Sequence, residues 1–280
     1  MINQGLRPLN PPYCFLSPYI ITPSMELHSS IVPESLRAFF EENPRVLLAF
    51  SGGTDSSYLL FAAVASGADV VAYTGKGPFQ PDFETEDALS LAMALRVRHS
   101  MVRVNPLSDP GISANGPDRC YLCKRMLFGK LREIADNEGR CLIDATNASD
   151  DPSSRPGMRA LDELGVVSPL RMYGITKADV RRLSRESGLP SADMPSNSCL
   201  ATRIATGTPI TAEALERVER SEDELRGLGF SGFRVRDRGD RCILEIQDHD
   251  KKVLDNNTTE VESILNKYYS EISYGQRPSE

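Results

Sequence analysis

The sequence predicts an α/β protein: a doubly wound parallel sheet followed by a smaller α/β unit. Three observations predict it. Short, almost fully apolar runs alternate with stretches of helical period between residues 29 and 187, the signature of parallel strands covered by helices on both faces. A Gly-rich turn, Ser51-Gly52-Gly53-Thr54-Asp55-Ser56, lies between the first apolar run and the helix after it. Beyond Pro190 the pattern changes to a long helix, two strands around a turn and a further helix.

Residues 1–28 are Pro-rich and irregular and read as an N-terminal extension. Residues 29–43 form a helix, because Leu36, Phe39 and Phe40 share one face, and Pro44 ends it. Residues 45–50 are apolar enough for a strand buried on both faces. Helix 56–66, strand 69–74, helix 82–95 and strand 98–104 follow. Helix 123–137 is closed by Gly139, and strand 141–146 runs into a polar loop, 147–157. Helix 158–164, strand 167–170 and helix 177–187 complete the first unit. Residues 191–198 are polar and Pro-bearing, a connector. Helix 211–228 has Thr211 as its N-cap. Strands 233–235 and 241–246 flank a turn at 237–240, and residues 251–268 are mostly helix. The expected division is therefore an extension at 1–28, a nucleotide-binding domain at 29–196 and a C-terminal substrate and oligomerisation domain at 197–280.

The chain has 280 residues, 40% hydrophobic and 25% charged, ordinary values for a globular protein with a real core. The formal charge is 32 − 39 = −7, which does not suit broad electrostatic capture of nucleic acid. No stretch approaches the roughly 18 apolar residues of a membrane span, and no basic-then-apolar leader opens the chain. The expected location is cytoplasmic. In that reducing compartment the six cysteines, Cys14, Cys120, Cys123, Cys141, Cys199 and Cys242, are not expected to form structural disulfides. A Cys-x-x-Cys pair there asks instead for a metal, a redox role or sulfur chemistry.

The Gly-rich turn is a phosphate site in its chemistry. Gly52 and Gly53 let the backbone turn tightly and approach a ligand closely. The N–H groups of the turn and of the next helix's first turn converge on one place, which attracts anions. Ser51 and Ser56 add hydroxyl donors. Asp55 cannot meet phosphate directly, so its sensible role is to hold Mg²⁺ that bridges phosphate oxygens. The hexapeptide lacks the Gly-Lys-Ser/Thr ending of a Walker loop, which disfavours a motor that hydrolyses the γ-phosphate. It resembles the PP-loop of enzymes that cleave ATP between the α and β phosphates. The bland alternative is a Gly-rich turn with no ligand.

Cys120 and Cys123, two residues apart, can face one metal. Cys199, in Ser198-Cys199-Leu200-Ala201-Thr202-Arg203-Ile204, is the next candidate. Three thiolates suggest an iron–sulfur cluster with one open iron, or a zinc site completed by another group. The competing reading makes Cys120 and Cys123 a structural zinc pair or unliganded thiols near the surface. Arg119, Lys124 and Arg203 flank these cysteines and would favour thiolates. Cys14, Cys141 and Cys242 read as packing residues.

Taken in order from about Val46 to Ile246, these segments resemble the LarE-type sulfur transferases, which build the nickel-pincer nucleotide. The resemblance rests on the Ala49–Ser56 loop, on Pro117-Asp118-Arg119-Cys120-x-x-Cys123-Lys124, and on Ala145–Asp151 with Arg155-Pro156-Gly157. Ser168-Pro169-Leu170, Cys199–Ile204 and Gly207-Thr208-Pro209-Ile210-Thr211 extend it. Thr202 and Ala205-Thr206 depart from it, standing where the family usually has Ser and Pro-Tyr. The resemblance implies a PP-loop ATPase fold, adenine nucleotide alpha-hydrolase-like. It also implies an enzyme that adenylylates the carboxylates of pyridinium-3,5-biscarboxylic acid mononucleotide with ATP and Mg²⁺ and then converts them to thiocarboxylates. In one branch a lone cysteine at the place of Cys199 gives up its own sulfur. In the other, three cysteines hold a 4Fe–4S cluster that carries an extra sulfide, and the presence of Cys120, Cys123 and Cys199 points to that branch. Arg234 and Arg236 resemble the family's paired arginines for the substrate's phosphate, and Arg203 joins them as a candidate substrate-binding residue. A strand would point Arg234 and Arg236 to one face. A homo-oligomer, perhaps a hexamer, is implied as well.

Three rival functions remain at this level. A transfer-RNA thiolase also combines a PP-loop with three cysteines, but the charge of −7 argues against a large RNA footprint. An ATP-dependent amidotransferase would not need the cysteines. A regulatory nucleotide-binding module would not need Asp55.

Overall fold

The computed structural model describes residues 29–278 except Ser154 and Ser196, so the expected extension 1–28, with Cys14, lies outside the described residues. Its first part is a four-stranded sheet, β1 (Arg45–Ala49), β2 (Asp69–Lys76), β3 (Arg98–Arg103) and β4 (Cys141–Ile143), in the order β3-β2-β1-β4. Every neighbouring pair is parallel.

The helices are α1 (Glu34–Glu42), α2 (Thr54–Ala65), α3 (Asp82–Ala94), α4 (Pro110–Ser113), α5 (Arg119–Glu138), α6 (Gly157–Glu163), α7 (Pro169–Met172) and α8 (Lys177–Glu186). Period-two alternation along β1 sends Val46 and Leu48 to one face and Leu47 to the other. The first face packs on α1, α2, α3 and α8, with Phe40, Leu59, Leu91 and Val180 among the buried residues. The second packs on α5 and α6 through Phe128, Leu131 and Leu161. Helices on both faces of a parallel sheet are the doubly wound arrangement that the alternation predicts.

The second part holds α9 (Ala212–Gly227), β5 (Phe233–Asp237), β6 (Arg241–Ile246), α10 (Lys251–Asn256), α11 (Thr258–Leu265) and β7 (Glu271–Gln276). Thr211 caps α9 as expected, its hydroxyl accepting from the N–H of Ala214 at 3.1 Å. Strand β6 lies between antiparallel β5 and parallel β7, over a core of Leu225, Phe233, Leu244 and Leu265. A further cluster joins the two parts: Phe79 and Ile112 of the first meet Leu200, Ile204, Leu215 and Val218.

Four expectations are corrected. The strand at 167–170 is a single bridge, Ile143 to Val167, followed by α7. Pro169 has no N–H for a ladder and stands at the first position of that helix, which suits its fixed φ. The helix at 251–268 is two helices, interrupted at Asn257, whose φ of −127° is not helical. Strand β7 was not expected; it is exposed along most of its length, so it carries little apolar signal. Helix α5 starts at Arg119 rather than residue 123, which puts Cys120 and Cys123 in its first turns. Among the described residues no helix is long and apolar enough to cross a membrane.

Candidate active site

A cleft of about 360 Å³ opens at the carboxyl ends of β1, β2 and β4. Strand order reverses between β1 and β4, and such switch points are where open α/β sheets bind ligands. The loop Ala49–Ser56 lines one wall, Tyr73–Gly75 another, and Asp144–Thr146 a third.

The sequence makes the loop what it is. Gly52 has φ +78°, a left-handed value that a side chain would strain. A Cβ there would also lie 3.0 Å from that of Ala88, so α3 can approach the loop only because position 52 is Gly. Ser51 and Ser56 hydroxyls meet at 3.0 Å, and Ser56 also donates to the carbonyl of Gly53 at 3.1 Å. Gly53 is the N-cap of α2 and offers no side chain, so none caps the helix's first N–H groups. Thr54 fixes the turn from behind, its hydroxyl donating to the carbonyl of Ser191 at 2.8 Å. An anion at the mouth would meet backbone donors and the positive end of the α2 dipole.

Asp55 faces this mouth half-buried. Its carboxylate takes Lys177 Nζ at 2.7 Å and Asn147 Nδ2 at 3.4 Å. Lys124, Arg155 and Lys177 bring positive charge to the lining, and Arg155 pairs with Asp150 at 2.8 Å. On the third wall, buried Asp144 accepts from Thr146 at 2.6 Å and from Ser168. Neither Lys177 nor Asn147 is among the site residues expected from the sequence; Asn147 lies in the Ala145–Asp151 segment that carries the resemblance, and Lys177 is marked only as a helix start.

Glu84, in the first turn of α3, also lines the cleft. Burial lifts its carboxyl to about 7, against the pull of Arg203 and Arg226. Between about 4.5 and 7 the folded protein therefore keeps a proton that the unfolded chain releases, so stability falls as pH rises through this window. Glu84→Gln is expected to raise the melting temperature more at about pH 8 than at about pH 5, by about 2–4 °C per kcal/mol relieved. Equal gains at both pH values in a thermal melt would contradict it.

Cys120, Cys123 and Cys199 lie near enough to one another to interact electrostatically, and none of them lines the cleft. Cys120 and Cys123 lie in the first turns of α5, and Cys199 precedes the 3₁₀ turn Leu200–Arg203. Cys123 and Cys199 pack on the same apolar cluster. Arg119 donates to the carbonyl of Ala201 at 3.1 Å, and Leu200 N–H to Phe79 at 2.9 Å, so α5 and the Cys199 segment are pinned to each other. Burial pushes the Cys123 thiol up to about 12, with Cys199 and Cys120 adding to the rise. Burial raises Cys199 too. The flanking cations do not outweigh burial, so at these two positions the shift runs opposite to the expected bias toward thiolate. Lining residues Lys124 and Asn197 sit next to Cys123 and two residues before Cys199. Cys141 and Cys242 are packing residues, as expected. Among the described residues no three His, Cys, Asp or Glu side chains are gathered to hold a single metal ion.

Arg203 is occupied differently from the sequence expectation. It is 3% exposed, and its guanidinium clasps Glu222 through two bonds of 2.9 and 3.0 Å. It also donates to Ser198, and Glu222 accepts from the N–H of Val235 at 2.9 Å. In this arrangement Arg203 ties the Cys199 segment to α9 and β5 and is not a cation presented to a ligand. Arg234 and Arg236 do share one half-buried face of β5. Arg236 bonds Glu245 at 2.8 Å and the carbonyl of Thr202 at 2.8 Å, which sets this face beside the Cys199 turn.

No protein-family model matches the chain. It is 40% identical over 217 residues to an uncharacterized protein of Synechocystis, covering 76% of this chain and 80% of that one. It is 34% identical over 215 residues to the pyridinium-3,5-bisthiocarboxylic acid mononucleotide synthase of Lactiplantibacillus plantarum, covering 76% of this chain and 78% of that enzyme. A weaker likeness, 27% over 54% of this chain and 39% of the other, reaches an argininosuccinate synthase of Haloarcula marismortui.

Proposed function

The chain belongs to the LarE-type sulfur transferases of the PP-loop superfamily, and on that premise we propose that it is an ATP-dependent pyridinium-3,5-bisthiocarboxylic acid mononucleotide synthase. The observation that supports the proposal is a cleft lined by the Gly-rich loop Ser51–Ser56 and reached by Lys124 and Asn197, the close sequence neighbours of Cys123 and Cys199. Its substrate is a small molecule, the pyridinium biscarboxylate mononucleotide.

A carboxylate is a poor electrophile because its oxygen leaves poorly. Adenylylation turns that oxygen into the leaving group AMP. The α2 N-terminus and the Ser51–Ser56 loop bind and orient the phosphates. Asp55 is a hard oxygen donor at the mouth, which fits Mg²⁺; it would hold the ion, which would supply charge neutralisation for the phosphates. Phe128 and Leu131 give the cleft an apolar wall.

Three cysteines, two in the first turns of α5 and one before the 3₁₀ turn, are the donor type that a 4Fe–4S cluster takes. Cys120, Cys123 and Cys199 would hold it, and the group would supply a bound sulfide as nucleophile. Their protons must be lost on loading, so assembly favours higher pH. Arg203, through Glu222, keeps Cys199 facing α5. Arg234 and Arg236 would bind the substrate's phosphate, for which guanidinium forks are suited.

The direct test is incubation with ATP, Mg²⁺ and the biscarboxylate nucleotide. AMP and pyrophosphate should form only when that nucleotide is present. Release of ADP and orthophosphate would overturn the proposal.

A further inference from the structure

Lys177 opens α8, whose start is fixed by a capping box between Thr176 and Asp179. Its backbone N–H donates to Ser149 at 3.0 Å, so the residue is tied to the loop after β4. From this anchored base the side chain crosses the cleft to Asp55, 2.7 Å away. Both side chains keep contact with solvent, 28% and 25% exposed, so the pair is not locked in a dry core. An exposed ion pair of this kind is worth little on its own, which leaves it free to exchange partners. The pair spans the mouth of the phosphate loop. A triphosphate entering there cannot leave it as it is. The phosphates repel Asp55 unless a divalent cation intervenes, and they attract Lys177.

We propose that Lys177 is a catalytic residue of the adenylylation step. It neutralises Asp55 while the cleft holds no nucleotide, and passes to the β and γ phosphate oxygens when the nucleotide's Mg²⁺ takes Asp55. The proposal rests on the adenylylation reading above. In that step a substrate carboxylate oxygen forms a bond to the α-phosphorus. The bond from that phosphorus to the α–β bridging oxygen breaks, and its electron pair leaves with pyrophosphate. No proton is exchanged with Lys177, which stays an ammonium and stabilises the charge that builds on the departing group. A lysine suits this exchange, being a point charge on a flexible stem with three donors.

The test is calorimetric binding of ATP, pyrophosphate and AMP, each with Mg²⁺, to the full chain and to Lys177→Met and Lys177→Arg. In Lys177→Met, Kd for ATP and for pyrophosphate should rise roughly 10- to 100-fold, the loss expected for a bond to a charged group. Kd for AMP should change by less than about twofold, and Lys177→Arg should recover part of the loss. Unchanged ATP affinity would overturn the proposal, because Lys177 would then serve only to neutralise Asp55. Equal losses for ATP and AMP would also overturn it, as damage to the whole cleft. If the unaltered protein releases no AMP and pyrophosphate, the adenylylation reading falls, whatever the variants bind.

Discussion

Asp55→Ala is expected to abolish pyrophosphate release from ATP while leaving the chain folded. The carboxylate stands in the first turn of α2, where the helix dipole favours an anion, and its partners are Lys177 and Asn147. It is half-buried and carries no part of the core, so its removal should cost little stability. Its catalytic loss is of another size. Without the Asp55 carboxylate α2 offers no anionic ligand to hold a divalent cation in register with the triphosphate. Removing one preorganised charge-stabilising group from an active site costs about 10²–10³-fold, and a metal anchor should cost at least that. A pyrophosphate-release assay, with circular dichroism to show the fold, checks it. Activity within a few-fold of the unaltered protein would mean that Asp55 does not serve phosphate transfer.

Ala at Cys120, Cys123 or Cys199 is expected to end sulfur transfer while ATP cleavage survives. On the proposed function the two halves of the reaction would use different segments: the loop after β1 for the phosphates, and α5 with the Cys199 turn for sulfur. A sacrificial cysteine would leave Cys120 and Cys123 without a task. Loss of sulfur transfer in all three variants is what a shared three-thiolate site requires. Each variant should keep AMP formation within a few-fold and lose thiocarboxylate formation altogether. Ala at Cys141 or Cys242, which pack in the two cores, should keep both. If Cys120→Ala and Cys123→Ala still transfer sulfur, Cys199 acts alone.

Much of this was legible before the fold was. The Gly-rich hexapeptide, placed between an apolar strand and a helix, announced the phosphate loop, because tight turns and close approach demand Gly at fixed positions. The alternation of buried runs and helical faces announced the sheet. What stayed hidden was contact between distant segments. Lys177 and Asn147 reach Asp55 from more than 90 residues away in sequence, and only the strand order brings them there. Arg203 illustrates the same limit in reverse. Beside Cys199 it reads as a cation available to a ligand, yet the fold gives it a buried carboxylate, Glu222, on the next helix. Burial similarly overrides the flanking charges at Cys123. Strand β7 went unseen because an exposed edge strand bears little apolar pattern.

On the proposed function one protein activates a carboxylate with ATP and delivers sulfur to it from a site held by Cys120, Cys123 and Cys199. Mass spectrometry of a single anaerobic reaction, with ATP, Mg²⁺, the biscarboxylate nucleotide and excess sulfide added to cluster-loaded protein, tests it most directly. The predicted result is a nucleotide product in which sulfur has replaced oxygen, formed over repeated turnovers, with the mass of the polypeptide unchanged. A polypeptide lighter by one hydrogen sulfide, the loss mapping to Cys199, would contradict it.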